Sequence, residues 1–454
     1  MQLNIIKIQK MFGLFDYNIE LNRDEKLTIL TGPNGYGKTT ILNIIYNLFN
    51  QRFFYFQKLN FELISFSFDQ NKRIDITKKK NEEKTEQAFQ LINNQRRIIN
   101  QNIETTDIHL NLYIDNTLTD TFIYNSELEN KLAQELQESY PVRQLAPDLW
   151  INDRTGKQIK TTEFLDKNSN LLPECLMALI RRQGGSINTQ ILQILSEINV
   201  YLIKEQRLLK PVVEIRNLKP NTSFINTIEK YAEDLKNIIV KKQLEAYKII
   251  QQLDSSFPKR LIECKEVLSE SDFKSRFADL TRKQELLRTF GIATTIQDVT
   301  EYNTDTANVL TVYLEDSEKK ISVYDELLSK IELFVNILNE KRFAFKSIMI
   351  NGAQGFYFQS SNEQRLNLAD LSSGEQQEVV LQYELLFKTN PNTLILIDEP
   401  EISLHVMWQK ALIQDLQRIA KMKHISFLIS THAPQIINDR WDLTRDLYEL
   451  SNVK

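Results

Sequence analysis

The stretch "ILTGPNGYGKTT", residues 29–40, constrains this chain more than any other. An apolar run ends in G-x-x-x-x-G-K-T, and the residues that follow, "KTTILNIIYNLF", repeat apolar positions every three to four and predict a helix over 38–49. A strand that passes through a glycine turn into a helix aims unpaired backbone N–H groups and the positive end of the helix dipole at one spot. That is a cradle for phosphate. Gly32, Asn34, Gly35, Tyr36, Gly37, Lys38, Thr39 and Thr40 form the expected contact surface. Lys38 would reach the β- and γ-phosphates, and the Thr39 hydroxyl would ligate Mg²⁺. Glycine is scarce, with 11 residues in 454; three lie in this loop and a fourth, Gly374, in "LSSGEQQ".

Three further segments lie at the other end of the chain. "TLILIDEPE" is an apolar strand that delivers Asp398, a second expected Mg²⁺ holder, and Glu399, placed to orient and polarise an attacking water. "LSSGEQQ" opens a predicted helix over 373–388; taken alone it reads as a serine-capped helix start, with hydroxyls and bare backbone forming an anion-binding nest. "LISTHAPQII" supplies His432 after another apolar strand. Strand–helix alternation near both termini predicts an α/β class with a parallel sheet built from both chain ends.

The expected segments are 1–80 and 343–454 for the two parts of this head, 81–196 for a mixed, mostly helical insertion, 197–215 for a strand returning to the head, and 216–342 for a helical arm. Two heptad-like seams, 225–253 and 310–338, predict long helices that lie antiparallel, either packed on the head or projecting as a short coiled-coil hairpin. Pro258 and 270–292 are expected near the turn between them.

A chain of 454 residues exceeds one ordinary core, and 42% hydrophobic with 26% charged residues describes a globular protein. Net charge −4 and a pI near 5.8 leave nucleic-acid contact to local patches. The basic pairs Arg96/Arg97, Arg181/Arg182, Lys241/Lys242 and Lys259/Arg260 sit among acids and read as solvated faces. Two cysteines, Cys175 and Cys264, make no disulfide or zinc pattern. No signal peptide or membrane-length apolar run is visible, so the expected location is the cytoplasm, with no membrane partner.

With these motifs in this order, the sequence resembles the ABC-type ATPases, whose signature reads L-S-G-G-Q. Ser372 and Gly374 match; Ser373 stands for the first glycine and Glu375 for the glutamine. The resemblance implies a P-loop ATPase head that hydrolyses ATP to ADP and phosphate. It further implies a head-to-tail homodimer in which Ser372, Ser373, Gly374 and Glu375 complete the ATP site of the other copy. Lys38, Glu399 and His432 are then the implied catalytic residues, and His405 in "EPEISLH" is implied to lie at the seam.

"LSSGEQQEVVLQYELLF", "LILIDEPEISLHVMWQ", "STHAPQII", "YLIKEQRLL" and "GLFDYNIEL" resemble more narrowly the group related to RecF and the OLD nucleases, and within it the ATPase subunits of antiphage systems of PARIS type, with Septu type second. This covers roughly 1–50, 197–210 and 343–454. It implies a switch that holds or activates a separately encoded nuclease effector, of TOPRIM or HNH type, in response to a phage-encoded trigger. The glutamine loop of the family has only two weak matches, Gln57 and Gln206. The long separation of loop and signature and the lack of a membrane-length run argue against transport. An appended nuclease domain has no room after His432, in a chain ending at Lys454. A RecF/SMC-like repair ATPase that binds DNA directly is the alternative.

Overall fold

The computed structural model describes residues 1–451 apart from 81–83, 93–94, 104–105, 138–139, 147–148, 154–155, 157, 169–170, 183–189, 204–208, 217–218, 265, 293–301, 342, 344 and 403. For 84–92, 95–103, 146, 180–182, 209–216, 219–225 and 304 it gives the backbone alone. The chain forms two compact units. The first comprises Met1–Glu205, Asn390–Ile402 and Gln409–Lys454, and the second Gln206–Thr389 and Ser403–Trp408.

The first unit is organised by a five-stranded parallel sheet in the order Asn199–Ile203, Thr393–Asp398, Ser426–Ser430, Leu27–Thr31, Thr444–Asp446. Parallel strands are covered on both faces and need unbroken apolar runs. "TLILID" and "LTILT" are buried at every position. The N-terminal strand inserts between two C-terminal ones, with Ile29 beside Ile429 on one side and Thr444 on the other. The two chain ends therefore build one sheet, as the motifs require.

Helix Lys38–Phe49 buries Ile41, Leu42, Ile44, Ile45 and Leu48 in a core shared by two layers. One layer contributes Leu396 and Leu428 of the parallel sheet; the other contributes Ile6, Ile64 and Phe66 of a six-stranded antiparallel sheet. That second sheet runs Phe15–Glu20, Leu3–Met11, Leu63–Phe68, Lys72–Lys80, Thr106–Ile114, Thr117–Tyr124. Its third and fourth strands pair antiparallel as a hairpin that follows the first helix.

The expectation of a mostly helical 81–196 is corrected. Its first half is strand: a hairpin Lys84–Ile92 with Gln95–Ile103, then two more strands that finish the antiparallel sheet. "DIHLNLYI" alternates apolar and polar residues with period two, and its alternate positions Ile108, Leu110 and Leu112 are fully buried. Helices follow from Ser126 onward, around a small sheet in which Trp150 stacks on Phe164 and donates to Thr161 Oγ1 at 3.0 Å.

The second unit centres on helix Thr227–Glu263, 37 residues and so about 55 Å long. It runs through Pro258 instead of stopping there. Its seam is buried at Ile228, Tyr231, Ala232, Leu235, Ile239 and Ala246, whereas Leu244 and Tyr247 face solvent. The second predicted long helix is two, Ala307–Ser322 and Asp325–Glu340, broken at Val323 and Tyr324. The segment expected near a turn is itself a helix, Glu270–Thr289. These helices are joined by ion pairs as well as by apolar contact: Arg260–Asp316, Arg276–Glu318 at 2.5 Å, Lys320–Asp254 at 2.9 Å and Lys283–Asp325 at 2.7 Å.

A three-stranded sheet follows, Lys346–Asn351, Gly355–Ser360 and Arg365–Leu366. A Cβ on Gly355 would lie 1.8 Å from the Ala232 carbonyl oxygen, so only glycine lets this strand meet the long helix. The unit closes on helix Ser373–Tyr383, continued by a π-helical turn Glu384–Lys388.

Candidate functional site

The phosphate loop sits where the strand Leu27–Thr31 ends and the helix Lys38–Phe49 begins. Gly32, Gly35 and Gly37 have φ of +135°, +87° and +83°, a region that side chains resist. A Cβ on Gly37 would also lie 2.2 Å from Met11 Cε, so the tip of the Met11 side chain would have to move aside. Asn34 and Gly35 are exposed at the tip, and Thr39 and Thr40 follow on the first turn of the helix. Tyr36 turns its ring into Phe15 and Tyr448, and its carbonyl accepts from Tyr17 Oη at 2.8 Å. Tyr36 therefore serves the loop through its backbone.

Lys38 is 5% exposed, and its ammonium donates to the Gly32 carbonyl at 2.8 Å and the Pro33 carbonyl at 3.3 Å. Burial lowers its pKa, a shift opposed by the nearby carboxylates of Glu399, Asp398, Glu401 and Asp446. Four acids converging on one buried lysine form a strongly polar floor beneath the loop.

Asp398 ends its strand with Oδ1 accepting from Thr39 Oγ1 at 3.0 Å and from the fully buried Ser430 hydroxyl. A hydroxyl and a carboxylate held together are hard oxygen donors of the kind Mg²⁺ takes beside substrate phosphates, so Thr39 and Asp398 fit the ion. Glu399 adopts φ +43°, unusual for a residue with a side chain, and its N–H donates to the Ser430 carbonyl at 3.0 Å. His432 bridges the centre: Nδ1 lies 3.4 Å from Lys38 Nζ and Nε2 lies 3.5 Å from Glu399 Oε1. An ammonium only donates and a carboxylate only accepts, so Nδ1 faces a donor and Nε2 faces an acceptor.

Ser372, Ser373, Gly374 and Glu375 lie in the second unit. Ser372 caps the helix in a reciprocal box: its Oγ accepts from the Glu375 N–H at 3.3 Å, and its own N–H donates to Glu375 Oε2 at 2.8 Å. Lys346 donates to both carboxylate oxygens of Glu375, each at 2.9 Å. Burial pushes the Glu375 carboxyl up, but the Lys346 and Ser372 hydrogen bonds outweigh it and hold the group below its ordinary range. Ser372 and Ser373 stay exposed at the tip of a helix otherwise buried on every side.

The AAA ATPase domain family model matches residues 1–437. The chain belongs to this family. Within 27% of its length it is 26% identical to the retron Vc95 probable ATPase of Vibrio cholerae serotype O1 biovar El Tor, over 128 residues. It is also 26% identical to the retron Ec83 probable ATPase of Escherichia coli, over 145 residues. The matched stretches span about a quarter of the curated relatives' length, 24% and 26%. Among solved structures, the Smc head domain of Pyrococcus furiosus bound to the ScpA C-terminal domain has 12% identity and a TM-score of 0.34, covering 96% of this chain and 90% of that one. The SMC head domain from Thermotoga maritima has 11% identity and a TM-score of 0.34, covering 98% and 94%.

In this ATPase domain the loop, Asp398, Glu399 and His432 come together as the motif order anticipates. Gln57 does not join them. The Gln57 amide donates to the Thr106 carbonyl and to Glu129, both at 3.4 Å, and Gln206 lies outside the described residues. His405 packs against Trp408, with ring centres 6.0 Å apart. Of the basic pairs, Lys242 is paired with Glu245, Lys259 with Glu263 and Arg260 with Asp316. The side chains of Arg96, Arg97, Arg181 and Arg182 lie outside the described residues. Among the described residues no helix is long and apolar enough to cross a membrane.

Sequence reading passed over Ser430, Thr431, Glu401, Asp446 and Phe12. Ser430 and Thr431 adjoin His432 and Glu401 adjoins the acidic pair, so proximity to a motif was their only signal. Asp446 accepts from Thr31 Oγ1 at 3.3 Å across most of the chain length, and Phe12 approaches Gly37 from the turn after the strand Leu3–Met11. Neither carries a local pattern.

Proposed function

We propose that this chain is an ATP-driven switch. It binds ATP with Mg²⁺, joins a second copy head to tail, and comes apart on hydrolysis to ADP and phosphate. The observation that carries the reading is the convergence of Lys38, the Thr39–Asp398 pair, Glu399 and His432 within a few ångströms of one another.

Mg²⁺ supplies charge neutralisation along the phosphates, and Thr39 and Asp398 would hold it. The loop N–H groups and Lys38 bind and orient the phosphate chain. Glu399, with its carboxylate turned toward His432, accepts a hydrogen bond from the attacking water and aligns it. His432, set between Lys38 and Glu399, would turn its ring toward the terminal phosphate. Ser372 and Gly374 of the second copy would close the same phosphate from the far side with the N-terminus of their helix.

A switch gains direction only if ATP binds the joined state more tightly than the separate one. The resemblance to antiphage ATPase subunits and the likeness to two proteins named as retron probable ATPases support a role in antiviral defence. There the switch would hold or release a separately encoded nuclease effector of TOPRIM or HNH type. Acidic partners on Lys242, Lys259 and Arg260 leave those groups less free for DNA phosphates, and so favour the switch over direct DNA binding.

The test is Glu399→Gln. This variant is expected to bind ATP, to hydrolyse it about 100-fold or more slowly, and to accumulate as an ATP-dependent dimer in light scattering. A variant that turns over like the native chain, or a Glu399→Gln chain that stays monomeric at saturating ATP, would refute the reading.

A further inference from the structure

Glu401 stands two residues beyond the water-orienting Glu399 and has no part in the mechanism so far. Its Oε1 accepts two hydrogen bonds at 2.8 Å, one from the Thr431 hydroxyl and one from the backbone N–H of His432. Thr431 is fully buried, and its Oγ1 in turn accepts from the Ala433 N–H at 3.0 Å. The Glu401 main chain is anchored too, since its carbonyl accepts from the Gln409 amide at 3.3 Å. One carboxylate oxygen therefore ties the segment after the acidic strand to the three residues that leave the neighbouring strand.

Either side of His432 the backbone has its own ties, the Thr431 N–H to the Leu30 carbonyl at 3.2 Å and the Ala433 carbonyl to the Ile436 N–H at 3.1 Å, but the His432 N–H is held by Glu401. The strand ends at Ser430, and the next helical turn begins only at Pro434, whose imino nitrogen donates nothing. The His432 ring stands between Lys38 and Glu399 at 3.4 and 3.5 Å, where a small backbone rotation would carry it out of reach of both. We infer that Glu401 is a positioning residue of the ATPase site: it clamps Thr431 and the His432 amide so that the imidazole faces the terminal phosphate. Its effect passes through His432 and not through contact with substrate. This inference rests on the ATPase reading above.

The clamp uses acceptor geometry, so a glutamine, which keeps an Oε1 acceptor, should replace the carboxylate well, and an alanine should not. In the full chain, Glu401→Ala is expected to lower kcat roughly 10- to 100-fold, the loss that follows from two hydrogen bonds to a charged acceptor, with KM for ATP changed little. Glu401→Gln should stay within a few-fold of the native rate. Because the route is through His432, the double variant Glu401→Ala/His432→Ala should be no slower than His432→Ala alone.

Hydrogen exchange on the protein without nucleotide gives a readout free of turnover: the His432 amide should exchange faster in Glu401→Ala and remain protected in Glu401→Gln. Thr431→Val, which removes one of the two donors, should give an intermediate rate and covers the case in which the alanine variant does not fold. Native-like turnover in Glu401→Ala, additive losses in the double variant, unchanged exchange at His432, or a glutamine variant as impaired as the alanine one would each overturn the clamp. Absence of ATP hydrolysis by the native chain would instead remove the ATPase reading, and the exchange rates would still decide whether Glu401 holds the loop.

Discussion

At the residue scale, Lys38 concentrates the chemistry. A buried ammonium is costly, and here its hydrogen bonds end on the carbonyls of the loop it serves. The native chain is expected to be stabilised by MgATP in thermal melts, by about 2.7 kcal/mol at a hundredfold excess over Kd, and Lys38→Ala to abolish that gain. An unchanged MgATP-dependent rise in melting temperature would contradict this. Lys38, Thr39, Asp398, Glu399 and His432 were legible from sequence because each follows an apolar strand or a glycine turn, patterns written in adjacent residues. Glu401 and Lys346 were not, because their roles lie in partners far along the chain or on another strand.

At the element scale, the helix opened by Ser372 shows how a change from the familiar signature is absorbed. Glu375 brings a charge to a helix N-terminus, where the dipole favours it, and Lys346 on the strand Lys346–Asn351 neutralises it from outside the helix. Its depressed folded-state pKa means the carboxylate stabilises the fold above the unfolded value of 4.5, and that contribution is lost as pH falls through the lower folded value. Lys346→Met is expected to cost about 1–2 kcal/mol near neutral pH, and its melting temperature should converge on the native one as pH drops below about 4.5. A difference that stays constant with pH would show that Glu375 is not what Lys346 holds.

The same scale explains the misread middle. Heptad spacing correctly marks helical residues, but it does not register a break such as Val323–Tyr324 or the ion pairs that join four helices where two were expected.

At the scale of the whole molecule, the first unit depends on strands that are neighbours in space and remote in sequence. The strands Leu27–Thr31 and Asn199–Ile203 are separated in the parallel sheet by Thr393–Asp398 and Ser426–Ser430. A fragment of residues 1–205 therefore lacks the two central strands and leaves the apolar face of the helix Lys38–Phe49 partly uncovered. Circular dichroism of that fragment is expected to show no cooperative thermal transition, whereas the full chain should; a sharp two-state melt of 1–205 would contradict this account of the core.

The amino-acid sequence by itself determined the phosphate loop, the acidic strand end, the serine-capped helix and the alternation that makes an α/β head from two chain ends, because these are short-range patterns of polarity and backbone freedom. The tertiary structure alone decided the strand order and the tie from Glu401 to Thr431 and His432. Each of these depends on which distant segments are brought within hydrogen-bond reach, and no local run of residues encodes that.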